Sequence, residues 1–163
     1  MSLSPLNLSN LDYPESGKYR TSKDNFEPID FFLDVLPVAK KIDLLLGYFS
    51  SSSIRVLAEG FALFLYNGGE MRLVTNHFYT THDKSALIYA ENEATDSLGF
   101  SIENISRIRE ALGSHGTHFF NCLAWLISEK RIQFVVIKPK SNGISHYKSG
   151  LICDGENKIE FTG

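Results

Sequence analysis

Along the chain, short apolar runs alternate with segments whose apolar residues recur at helical spacing, and this alternation predicts the order of elements. In "EPIDFFLDVLPVAKK", from Glu27 to Lys41, Pro28 suits a first helical turn and Phe32, Leu33, Leu36 and Ala39 form an apolar stripe, with Pro37 placed to kink or shorten the helix. The run "IDLLLGYF", from Ile42 to Phe49, predicts a strand buried on both faces. A helix over "IRVLAEGFALFLYNGG" follows, stopped by Gly68 and Gly69, and then the strand "MRLVTN". A strand, helix and strand within about 35 residues make a parallel crossover unit.

From His77 to Phe100 the chain is polar and partly helical. Ser101 to Asn104 resembles a capping box and predicts a helix over "SIENISRIREAL". "THFFNCLAWLISEKR" predicts an apolar helix and "IQFVVIK" a third buried strand. The chain closes with the strands "HYKSGLIC" and "KIEFTG", joined through the hairpin turn "DGEN". Residues 1–26 lack sustained periodicity and read as an irregular arm, able to wrap the domain or a partner. Residues 27–163 read as one α/β domain, a mixed and largely parallel β-sheet flanked by helices on both faces.

Composition narrows the function classes. A formal charge of -3 argues against a general nucleic-acid coat or a membrane-surface protein. The stretch from Lys130 to Cys153 nevertheless holds five of the 16 basic residues and none of the 19 acidic ones, so an anionic ligand is expected at the C-terminal quarter. Cys122 and Cys153 lie in apolar runs and read as core thiols; with two cysteines there is no disulfide framework. No basic head precedes an apolar stretch, and no run reaches the ~18 residues of a membrane span. A cytoplasmic setting without membrane contact is the expectation.

Strand alternation puts His146 and Lys148 on one face, with Gly150 next in line leaving open space. An ammonium beside an imidazole disfavours protonation of the ring, which keeps the histidine neutral and nucleophilic, while the lysine offers charge to a phosphoryl oxygen. A solvated strand edge would carry the same pair. Ser50 to Ser53 follow the first strand at the end where an α/β sheet binds ligands; Ser50 and Ser51 can offer donors to a phosphate, or the cluster simply caps a helix. Tyr48 and Phe49 close that strand. The aromatic residues Phe31, Phe32, Phe61, Phe64, Phe119, Phe120 and Trp125 fall on helical apolar faces and read as core.

Two histidine pairs, His77 with His82 and His115 with His118, come without a Cys-x-x-Cys or His-Glu-x-x-His motif or an acidic cluster, so no metal site is assigned to them. His115 and His118 read as the start of a helix. Asn67-Gly68-Gly69 follows a helix where a phosphate loop would open one, and reads as a helix stop.

The stretch "HYKSGLICDGENKIEFTG" resembles the His-x-Lys signature of the phospholipase D superfamily, in which His-x-Lys on one strand precedes an acidic residue, a turn and a second strand ending in Gly-Ser-x-Asn. His146, Lys148 and Gly163 match that pattern. The upstream "LLLGYFSSSSIRVL" and "LYNGGEMRLVTN" resemble phospholipase D-like domains of bacterial helicases and restriction-type proteins. Five residues lie between Lys148 and Asp154 where the commonest spacing leaves four; Asp154 is either an orienting acid or the first turn residue. The Ser and Asn after Gly163 are not in this chain, which suggests a domain truncated at its C-terminal end within a larger protein.

The resemblance implies an α-β-α layered fold and a phosphodiester displacement through a phosphohistidine on His146, without metal or other cofactor. Since the family uses two motifs and this chain has one, a homodimer pairing two His146 sites is implied. DNA backbone is the implied substrate, with C-terminal helicase or effector domains as partners. A catalytically weak DNA-binding and dimerisation module of the same fold is the alternative. Lipid head groups form a third class, for which no exposed apolar feature of the sequence argues.

Overall fold

The computed structural model describes residues 6–21, 26–47, 50–76, 81, 84–85, 100–114, 117–137 and 147–163. Helix α1 spans Pro28–Val35, with Pro28 at its first turn and the Asp30 carboxylate accepting from the Glu27 N–H at 2.9 Å. It ends before Pro37, whose carbonyl accepts from the Asn67 side chain at 2.8 Å. Strand β1 follows as Lys41–Leu46.

The single helix expected after β1 is two, α2 (Ser51–Val56) and α3 (Ala58–Tyr66), separated by Leu57 at φ -101° and ψ 20°. Leu57 is still buried, so the turn redirects the chain without losing an apolar contact, which the periodicity alone does not register. Past α3, Gly68 adopts φ +86°. Gly69 lies against Phe64, where an added Cβ would come within 2.6 Å of the Phe64 carbonyl oxygen. Strand β2 is Glu70–Thr75.

Helix α4 (Ile105–Gly113) starts later than the capping-box reading places it: Asn104 is the cap, and its side chain accepts from the Arg107 N–H at 3.1 Å. A short amide suits the cap itself, whereas a box needs the reach of Glu or Gln three residues on. Helix α5 (Thr117–Ser128) leads to β3 (Ile132–Val136), and the chain closes with β4 (Lys148–Cys153) and β5 (Lys158–Thr162).

The sheet is mixed, in the order β3-β2-β1-β4-β5, with β1, β2 and β3 parallel and β4 antiparallel to both neighbours. The third strand is therefore an edge among the described elements. Val135, Val136 and Ile137 are 43%, 52% and 48% exposed, against the expectation of a buried strand. An apolar run marks a strand but does not say which neighbours it will gain.

Both crossovers, β1 to β2 and β2 to β3, step in the same direction across the sheet. A common right hand then lays their helices on one face. Contacts run from α1 to α3, α3 to α4, α4 to α5 and α5 to β3, and one buried cluster joins these helices to Ile42, Met71, Leu73, Ile132 and Ile152. The opposite face bears Lys41, Asp43, Arg72, Gln133 and Glu160, so β1 is not buried on both faces. Asp43 and Arg72 pair there at 2.9 Å.

The core aromatics are placed as the sequence implies, Phe31, Phe61, Phe64, Phe119 and Trp125 buried and Phe32 and Phe120 packed at the margin. Cys122 is buried, but Cys153 is half-buried. In the arm, residues Leu8–Asn10 form one 3-10 turn and Leu8 is 1% exposed within the core cluster. Among the described residues no helix is long and apolar enough to cross a membrane.

Candidate functional site

Two rules of strand pairing set the site. Because β4 runs antiparallel to β1, its first residue lies beside the last residue of β1, and Lys148 is in register with Leu46. The Gly47 N–H continues the ladder onto the Tyr147 carbonyl at 2.7 Å. Lys148, which is exposed, thus stands at the carboxyl ends of the parallel strands, where open α/β sheets receive ligands. The hairpin brings the chain back to the same end, and the Gly163 N–H donates to the Lys148 carbonyl at 2.7 Å.

His146 lies outside the described residues, as do Tyr48, Phe49, His77, His82 and His115. His118 is at the start of α5, exposed, with its ring 5.7 Å from that of Phe100. Among the described residues no group of three or more His, Cys, Asp or Glu is arranged to hold a metal ion.

Gly150 does not leave open space. An added Cβ there would strike the Phe161 ring and come within 2.8 Å of Leu44 Cδ2. The glycine is needed because β5 and β1 both send a large side chain over it on the face that packs against the helices.

Asp154 is at the other end of β4, about 20 Å from Lys148 at ~3.3 Å per strand residue. Its Oδ1 accepts from the Glu156 N–H at 2.9 Å and the Asn157 N–H at 2.7 Å, closing the hairpin turn. Its Oδ2 accepts from the Leu8 N–H at 2.8 Å and the Asn157 amide at 3.0 Å. Burial by itself would raise this carboxyl, but the backbone and side chain of Asn157, with the N–H groups of Leu8 and Glu156, outweigh it and hold the pKa well below the carboxylate range. Of the two readings of Asp154, the structure places it as the turn residue.

Ser50 caps α2, its hydroxyl accepting from the Ser52 N–H at 3.3 Å and lying 2.7 Å from the Ser52 hydroxyl. Ser51 is the first residue of that six-residue helix. Both follow the carboxyl end of β1, so the structure puts Ser50, Ser51, Lys148 and Gly163 at one end of the sheet and Asp154 at the other.

No family model, curated protein or solved structure matches this chain. The meaning of this sheet end therefore rests on the chain's own residues and on the likeness of its closing motif.

Among the described residues, the basic run divides between the two ends of the sheet. Lys130 and Arg131 immediately precede β3, at its amino end, whereas Lys148 is at the carboxyl end of the sheet, and Lys138 and Lys140 lie outside the described residues. Arg131 also has a structural role, its guanidinium donating to the Leu65 carbonyl at 2.9 Å. Conversely, Asn76, just past β2 at the carboxyl end, was not singled out by sequence reasoning. Its side-chain oxygen is buried and has no hydrogen-bond partner among the described residues. The polar ending of "LVTN" after an apolar strand was the available signal.

Proposed function

We propose that the chain is a metal-independent phosphodiesterase domain that acts on DNA as part of a larger helicase or restriction-type protein. The His146 imidazole attacks phosphorus, and a nitrogen–phosphorus bond forms as the bond to the leaving oxygen breaks. His146 of the partner subunit gives that oxygen a proton, then takes one from the water that cleaves the phosphohistidine. Lys148 offsets charge on the non-bridging oxygens. The reading includes a homodimer that brings two such motifs together.

One observation carries it: Lys148 opens β4 at the carboxyl ends of the parallel strands, with Gly163 held beside it. The engagement of Asp154 in a distant turn favours a second reading, in which the domain binds the DNA backbone and dimerises without cutting. Labelled single- and double-stranded DNA, incubated with the protein in EDTA, separates the two. Cleavage that His146→Ala abolishes supports the first reading, whereas cleavage that persists in that variant, or that EDTA removes, overturns it. Salt-dependent binding without cleavage, weakened in Lys148→Ala, supports the second.

A further inference from the structure

The Asp154 carboxylate divides its acceptors between two parts of the fold. Oδ1 closes the β4–β5 turn, while Oδ2 is shared, taking the Leu8 N–H of the N-terminal arm at 2.8 Å and the Asn157 side-chain amide of the turn at 3.0 Å. Leu8 is sunk in the core at 1% exposure, and the Tyr13 hydroxyl donates to its carbonyl at 2.7 Å, so the turn around Leu8 is pinned on both its backbone groups. Further along the arm, Tyr19 packs edge-on to Phe31 at 5.2 Å, and Phe31 in turn meets Phe161 of β5 at 5.7 Å. The arm thus reaches the hairpin twice, through a carboxylate at the turn and through an aromatic chain at the strand.

We propose that the arm, residues 6–20, is a strap whose docking and the closure of the β4–β5 hairpin form one cooperative unit, so that displacing the strap loosens the strand pair that presents Lys148. A hydrogen bond to a charged group is strong, and its loss leaves the carboxylate partly buried and short of one donor. The freed carboxylate then holds the turn less rigidly, and Phe161 loses support from the Tyr19 side of Phe31. Segments that open together in this way are recognised by common amide-exchange behaviour. The coupling holds whether or not Lys148 meets a phosphate.

Native-state hydrogen exchange on the full chain tests it, comparing the wild type with Leu8→Ala and with the milder Tyr13→Phe, which removes one hydrogen bond and keeps the ring. The expected result is that amides of Asn157 and of β5 lose protection together with the arm, at least about tenfold in Leu8→Ala and less in Tyr13→Phe, while amides of β2 and α3 keep theirs. Loss of protection in the arm alone overturns the proposal. So does a uniform loss across all strands in both variants, since the arm would then be part of the global core and no separate unit.

Discussion

The backbone N–H of Gly163 donates to the carbonyl of Lys148 at 2.7 Å, so the last residue of the hairpin is held against the first residue of β4. Lys148 is exposed at this end of the sheet and packs into no core, which separates its chemistry from its contribution to stability. On the proposed reaction, Lys148→Gln lowers the DNA cleavage rate by about 10²-fold or more with an unchanged denaturant midpoint. A parallel loss of midpoint and rate would mean that the lysine serves the fold.

At Gly150 the order is reversed, since the residue has no room. Gly150→Ala forces a methyl against the Phe161 ring and Leu44 Cδ2 and is expected to cost about 1–3 kcal/mol by overpacking. Urea unfolding measures the loss. Adding Phe161→Leu should recover part of it, and an equal loss in the double variant would show that the ring is not what excludes the methyl.

Acid stability should report on Asp154. Its folded pKa is held below the ordinary 3.8 by hydrogen bonds from Asn157, Leu8 and Glu156 that outweigh burial. The unfolded chain therefore takes up the proton first on acidification, and stability from this group, full above the unfolded value, is lost as pH falls through and below it. From about pH 5 downward, the wild type should lose stability more steeply than Asp154→Asn, which starts less stable at neutral pH. Unfolding midpoints measured at several pH values check the two slopes.

The Cys122 thiol gives the opposite sign at the alkaline end. Burial pushes it up from 9.0 to about 12, so between those values the unfolded chain releases a proton that the folded chain keeps, and stability falls as pH rises. In a Cys153→Ser background, an aromatic disulfide reagent at pH 8 should label no thiol in the native protein and one in urea. Rapid native labelling would place Cys122 outside the core.

Much of this fold was legible as local pattern. The helix after Pro28, the strands starting near Ile42, Met71 and Ile132, and the Asp154–Asn157 hairpin all follow from residue spacing, proline geometry and turn chemistry. The break at Leu57 and the cap at Asn104 were not, because a helical stripe continues through a redirected turn and a short amide serves more than one capping position.

For the candidate site, the sequence by itself placed Lys148 and Gly150 two apart on one strand and a tight turn after them. It did not say what faces Gly150, where Asp154 points, or how the basic residues spread in space. Those are relations between segments far apart in the chain. The return of β5 fills the space at Gly150 with Phe161, and the arm, 146 residues upstream, donates a backbone N–H to one oxygen of Asp154. Crossover direction gathers the described helices on one face and leaves β3 as their sheet's edge. Spacing along a strand fixes the direction of a side chain, but only packing decides what that side chain meets.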